Sequence, residues 1–207
     1  LVVTVDVPVD AKRERNLRNG FARPPRPSAS ATLEALLHPS WLMEYFKFGQ
    51  PPVSNYLKYA GPNPTADRTM EMWSENVRSP MSWALLEHYR KIWPRNLVIK
   101  GLMHPDDARR AAAIGADGIL VSNHGARQLD LAPAPLEVLP AIVEAVGDKM
   151  TVMLDSGIRR GSDAVIALCL GAKFVFVGRW TLYGVSAGGL AGAKHAVGMI
   201  RKEIDLN

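Results

Sequence analysis

The chain has 207 residues, 47% of them apolar and 22% charged, which is enough to bury a sizeable core and excludes a collagen-like, disulfide-framework or wholly disordered chain. A formal net charge of +5 leaves phosphates, anionic membranes and acidic ligands open as partners. The single cysteine, Cys169, excludes an internal disulfide, fits a reducing compartment, and in its apolar helical setting is expected as a buried thiol.

The chain opens without Met, directly inside an apolar run, as a fragment or an internal chain would. Five short, β-branched runs follow one another: Leu1–Asp6, Leu97–Lys100, Gly118–Ser122, Thr151–Leu154 and Phe174–Val177. Each has the continuous apolar character of a fully buried parallel strand. About ninety residues separate the first two runs, far more than a crossover needs. This stretch holds a basic, Pro-rich loop (Ala11–Ser30), an aromatic segment (Trp41–Tyr59) and a polar loop (Gly61–Arg78). An amphipathic helix then carries Leu86, Tyr89, Ile92 and Trp93 on one face. It reads as an insertion over about 11–80 in one domain spanning 1–207.

Helical patterns separate the later runs. Pro105–Gly115 opens on Pro and closes on Gly. Leu136, Leu139, Ile142, Val143 and Val146 recur at helical spacing, Ser162–Leu170 ends at Gly171, and a last helix is expected from about 179 to 204. Strands alternating with helices predict βαβ units and a parallel sheet. No run is long and apolar enough to predict a membrane-spanning helix.

Polar residues cluster where the runs end: Asp6, Lys100, Ser122-Asn123-His124, Asp155 and Gly178-Arg179. In a β/α barrel this rim of strand ends holds the active site. The segment Asp155-Ser156-Gly157-Ile158-Arg159-Arg160-Gly161 suits an anion, because Gly157 allows close backbone approach and Arg159 offers a charged fork. Gly178-Arg179 before a helix repeats the design, since a helix N-terminus presents free N–H groups to phosphate. In Ser122-Asn123-His124-Gly125-Ala126-Arg127-Gln128-Leu129-Asp130, His124 suits a base near neutral pH and Arg127 a carboxylate.

That nine-residue run resembles the signature of the FMN-dependent α-hydroxy-acid dehydrogenase and oxidase family. Nearly the whole chain is similar to it: Thr4-Val-Asp6-Val-Pro8 with Arg13 resembles the fourth barrel strand and the loop after it, and Val98-Ile-Lys100-Gly101 the fifth strand. Leu154–Gly161 resembles the seventh, and Val177-Gly178-Arg179 the eighth. His38-Pro39-x-Trp41, Gly49-Gln-Pro-Pro and Gly178-Arg-Trp-Thr-Leu-Tyr-Gly184 look like the family's mandelate dehydrogenase branch.

The resemblance implies an α/β fold, a TIM (β/α)8 barrel of which this chain supplies about strands 4–8. It implies FMN as cofactor and oxidation of a small 2-hydroxy acid to the 2-oxo acid. His124 would be the base, Asp6 its orienting carboxylate, Lys100 the cation beside the flavin, and Arg13 and Arg127 the substrate's carboxylate ligands. Thr4 and Ser122 would contribute further flavin contacts. Asp155, Ser156, Gly157, Ile158, Arg159, Gly178 and Arg179 would hold the ribityl and phosphate end. The earlier strands of the barrel are absent from the sequence, and a segment after Asn207 is expected too, so the chain reads as truncated at both ends.

Electrons would pass to a quinone or cytochrome, with an oxygen-using oxidase as the alternative. A homo-oligomer, a tetramer by resemblance, is implied. Six of the fifteen aromatic residues lie in Trp41–Tyr59, next to a basic loop. Residues 28–60 are therefore expected either to contact an anionic membrane peripherally, on the inner face of the cytoplasmic membrane, or to form a subunit interface. Otherwise the protein is expected in the cytoplasm. Competing readings are a non-redox barrel isomerase and a non-catalytic fragment binding a partner. Nucleic acid is not an expected partner, because no recognisable module is present. Lys12, Arg13, Arg15, Arg18, Arg23 and Arg26 outnumber Glu14 by five, so the basic excess is local to the first loop.

Overall fold

The computed structural model describes residues 1–9, 11, 13–20, 28–77 and 80–207. Lys12, Arg23 and Arg26 of the basic cluster lie outside the described residues. Two compact units emerge: Leu1–Val7 with Pro80–Asn207, and Pro8–Ser79.

The first unit is built on a parallel sheet of β1 (Val2–Thr4), β2 (Val98–Leu102), β3 (Gly118–Val121), β4 (Thr151–Leu154) and β5 (Phe174–Val175), hydrogen-bonded in that order. All four neighbouring pairs run parallel. Every residue of β3 is buried, as a strand covered on both faces requires. Helices α5 (Trp83–Ile92), α6 (Pro105–Ala113), α7 (Pro135–Val146) and α8 (Gly161–Cys169) follow or connect the strands. Ile99, Ile119, Val121, Val152 and Leu154 share one core with Leu86, Leu139, Ile142 and Val146. Burying each such side chain contributes about 1.5–3 kcal/mol. Ala108 and Ala111 of α6 and Ala164 and Ala167 of α8 are small buried residues of the same core.

Helix boundaries follow local chemistry. Pro105 starts α6 behind His104, whose Nδ1 accepts the Asp106 N–H at 3.2 Å, and Gly115 stands after it at φ +82°. Asp117, ahead of β3, accepts the Leu97 N–H at 2.8 Å and Arg90 Nη1 at 2.7 Å. Arg90 also donates to the carbonyls of Gly115, Arg95 and Trp93. These bonds tie the N-terminal ends of β2 and β3 to α5, the end of a β/α sheet that serves stability.

The last helix, α9 (Arg179–Leu206), is longer than expected by two residues and is bent back on itself. Gly188 and Gly189 leave helical geometry, with φ −160° and +55°. The two arms then pack through glycine: a Cβ on Gly184 would lie 2.6 Å from the Gly192 carbonyl oxygen. Trp180 Nε1 donates to the Ala196 carbonyl at 2.9 Å across the bend. One continuous helix was the sequence expectation; two adjacent glycines at the bend and two more at the crossing produce a helical hairpin instead.

In the second unit lie α1 (Glu14–Arg18), α2 (Ala29–Leu36), α3 (Pro39–Phe48), a 3-10 turn (Ser54–Tyr59) and α4 (Ala66–Val77). Ser28 Oγ caps α2 by accepting the Ala31 N–H at 3.2 Å. The expected polar loop over Gly61–Arg78 is mostly the helix α4. Thr65 Oγ1 accepts the Arg68 N–H at 3.1 Å at its start, and the buried Thr69 Oγ1 accepts the Val53 N–H at 3.0 Å. Cys169 is exposed, not buried. It sits at the end of α8 beside the exposed Leu168 and Leu170.

Candidate active site

The rim of the first unit gathers polar and charged residues from all five strand ends. Asp6 follows β1, and its Oδ1 accepts from His124 Nδ1 at 3.2 Å. A carboxylate has no proton to give, so it fixes the tautomer with the proton on Nδ1 and leaves Nε2 with its lone pair. Asp6 Oδ2 is buried without a hydrogen-bond partner among the described residues.

Lys100 was expected at the end of its strand; it lies inside β2, which runs on to Leu102 through a register shift after Lys100. Gly101 makes that shift possible. Its φ is +105°, and a Cβ there would stand 2.7 Å from both Cβ and Cγ of Asp6. The bulge thus leaves room for the carboxylate that holds His124.

Lys100 Nζ donates to Ser122 Oγ at 2.7 Å and pairs with Asp155 Oδ2 at 3.2 Å. Fully buried Ser122 also accepts the His124 N–H through Oγ at 3.1 Å. On the far side, Ser156 Oγ donates to Asp155 Oδ1 and accepts the Gly125 N–H, both at 2.8 Å. Arg179 Nη2 donates to the Gly125 carbonyl at 3.1 Å. The loop bearing the histidine is gripped by groups from three other strand ends. It needs this support: His124, Gly125 and Ala126 have φ of +59°, +67° and +56°, and Ser156 +72°. Such left-handed residues persist only where surrounding bonds over-determine them.

Lys100, His124, Arg127, Asp155, Ser156, Gly157, Ile158, Arg159, Gly178 and Arg179 line one cleft of about 550 Å³. Gly125, Phe176, Val177, Trp180 and Tyr183 complete its wall; the last four give it an apolar surface, a role not assigned to them from the sequence although Trp180 and Tyr183 stand in the Gly178–Gly184 motif. The i, i+3 spacing of Trp180 and Tyr183 after Arg179 was the available signal. Gly157 takes φ +86°, and nothing stands within 4 Å of where its Cβ would be, so its backbone faces open space. Four cations and one carboxylate around flat apolar walls suit a planar anion.

Thr4 ends β1 in register with Lys100. Arg13 stands at the start of α1, in the other compact unit. No helix among the described residues is long and apolar enough to cross a membrane, and no group of three or more His, Cys, Asp or Glu side chains among them could hold a metal.

Comparison with known proteins places this geometry. The chain is 40% identical to (S)-mandelate dehydrogenase of Pseudomonas putida over 205 residues, covering 99% of this chain and 51% of that protein. It is 42% identical to L-lactate dehydrogenase of Azorhizobium caulinodans, covering 99% and 54%. The crystal structure of the monotopic membrane protein (S)-mandelate dehydrogenase superposes with a TM-score of 0.91 at 40% identity, over 99% of this chain and 54% of that one. A mandelate oxidase solved with (S)-2-phenylpropionate gives 0.69 at 33% identity, over 98% and 48%. The chain thus spans about half the length of these relatives, and its five parallel strands are part of their TIM barrel. Residues 1–207 match the model of the FMN-dependent dehydrogenases, and the chain belongs to that FMN-dependent family.

Proposed function

We propose that this chain carries the proton-abstracting and phosphate-gripping part of an FMN-dependent 2-hydroxy-acid dehydrogenase, with an aromatic acid such as mandelate as substrate. The observation that carries the reading is the Asp6–His124 pair at 3.2 Å, with His124 set in a cleft whose wall is apolar and whose rim is cationic.

FMN fits the residues present. Arg159 and Arg179, the open backbone at Gly157, and the start of α9 after Gly178 offer a phosphate charge and N–H groups. Asp155, Ser156 and Ile158 would contact the ribityl chain, and Thr4, Ser122 and Lys100 the ring. When bound, FMN supplies the two-electron acceptor that the side chains lack.

The chain's own residues do the rest. Oxidising a 2-hydroxy acid to a 2-oxo acid removes two electrons and two protons, and His124 Nε2 takes a proton. Asp6 holds the ring's tautomer and stabilises the imidazolium that forms. Arg127, which lines the cleft, offers the substrate carboxylate a planar fork, and the family resemblance gives Arg13 a substrate-binding role as well. Lys100, held by Ser122 and Asp155, places positive charge where negative charge develops. Residues 1–207 belong to one barrel domain with an insertion over about 11–80.

The relatives named dehydrogenase favour a quinone or cytochrome as acceptor; the likeness to mandelate oxidase favours oxygen as a second reading. Peripheral attachment to the inner face of the cytoplasmic membrane through residues 28–60 is supported by the exposed Leu33, Leu36, Leu37, Trp41, Phe46 and Phe48, and assembly as a homo-tetramer by the family resemblance. The direct test is anaerobic: the yellow protein should bleach on addition of (S)-mandelate, and a flavin left oxidised by every 2-hydroxy acid tried would refute the reading. Oxygen uptake compared with dye reduction then separates oxidase from dehydrogenase.

A further inference from the structure

The turn that carries Arg159 is held from behind the cleft by two carboxylates. Asp163 Oδ2 accepts the N–H groups of Arg159 and Arg160 at 2.8 and 2.9 Å, an ordinary helix-start contact for α8. The next N–H, that of Gly161, donates 2.7 Å to Glu203 Oε2, on the second arm of the α9 hairpin. The other oxygen of the same carboxylate accepts Arg160 Nη1 at 2.9 Å.

Two consequences follow. Of two adjacent arginines, Arg159 lines the cleft while Arg160 is turned away and neutralised. The fit is also tight, since a Cβ on Gly161 would lie 2.5 Å from both Glu203 Cβ and the Ile204 nitrogen. The Gly161 N–H, and after it Arg160, hold the Glu203 carboxyl below its usual range. Glu203 therefore stays anionic at neutral pH. The first arm of the same hairpin begins at Arg179, the other arginine of this end of the cleft. One element thus carries Arg179 and anchors the turn of Arg159.

We infer that Glu203 is a positioning residue for the phosphate end of the cofactor site: it locks the Arg159–Gly161 turn to the α9 hairpin, so that Arg159 and Arg179 converge on one anion. The inference rests on the FMN reading above. Glu203 does not itself line the cleft.

The test compares FMN with riboflavin, which lacks only the phosphate, on the full chain, by quenching of flavin fluorescence. Glu203→Ala should weaken FMN about tenfold and riboflavin less than about twofold. Glu203→Gln keeps the shape but offers one acceptor oxygen to two donors, and should lower the FMN-over-riboflavin preference by about threefold. An equal loss for both flavins, or no loss for either, would overturn the role; the first would mean general loosening of the fold. If Glu203→Ala lacks the native near-UV spectrum, Glu203→Gln decides by the same ratio. A wild-type protein that binds riboflavin as tightly as FMN would instead refute the cofactor reading. The two failures are therefore distinguishable.

Discussion

The two compact units solve opposite problems. The unit of residues 1–7 and 80–207 buries Leu97, Ile99, Ile119, Leu139, Ile142 and Leu154 completely, and spends that rigidity on one rim of strand ends. Among the described residues of Pro8–Ser79, Thr69 alone is buried, while Phe46 and Phe48 are 80% and 73% exposed. Geometry within a fraction of an ångström demands a packed scaffold beneath it. A unit that keeps its aromatic residues outward is suited to meeting another surface. Chemistry and attachment are therefore expected to fail independently, and that independence can be attacked.

The largest effect should come from His124→Gln. FMN is expected to stay bound while substrate-driven flavin reduction, followed by stopped flow, drops by about 10² to 10⁴ for loss of a general base. A rate within tenfold of wild type would remove His124 from its role. Next is Gly101→Ala, which places a Cβ 2.7 Å from Asp6 and forces φ +105° on an L residue. Denaturant titration should show about 1–3 kcal/mol of lost stability, and flavin reduction should slow with it as the Asp6–His124 pair separates.

A smaller effect belongs to Asp117. The Leu97 N–H, and then Arg90, hold its carboxyl below the ordinary 3.8. Its contribution is therefore present above about pH 3.8 and lost as pH falls through the lower folded-state value. Asp117→Asn should cost on the order of 1 kcal/mol at pH 7, discounted for a half-exposed carboxylate. The difference from wild type should vanish in acid; a difference that persisted at pH 2 would mean the loss is not electrostatic. The smallest change in stability, within about 0.5 kcal/mol, is expected for Phe46→Ser on the exposed face of the other unit. That substitution should nevertheless reduce co-sedimentation with anionic vesicles while leaving flavin reduction intact. Loss of flavin reduction there would break the separation between the units.

Much of the first unit was legible because its signals are local. Each apolar run became a strand, and ten of the fourteen residues named from the motifs line one cleft. Asp6 and Ser122 reach that cleft through His124 and Lys100. What stayed hidden depends on partners. A bulge exists only relative to the neighbouring strand, so Lys100 was expected two residues nearer the strand end than it lies. The helix α4 is mostly polar, with Met70 and Trp73 among its few large apolar residues, and its one buried residue among those described, Thr69, is a threonine bonded to the Val53 backbone. Glu203 lies 42 residues beyond Gly161, and no spacing rule connects them. Arg13 belongs to the other unit, and its role is carried by the family resemblance alone.

The glycine crossing of the α9 hairpin has a consequence for how the gene tolerates change. Gly184 and Gly192 do not line the cleft, yet the backbone of each occupies the space where the other's side chain would be. Every single-base missense change in a glycine codon yields a larger residue. A saturation library scored by growth should therefore show two intolerant codons that do not line the cleft. Their intolerance would mark the hairpin as the part of the protein with the least room for evolutionary drift.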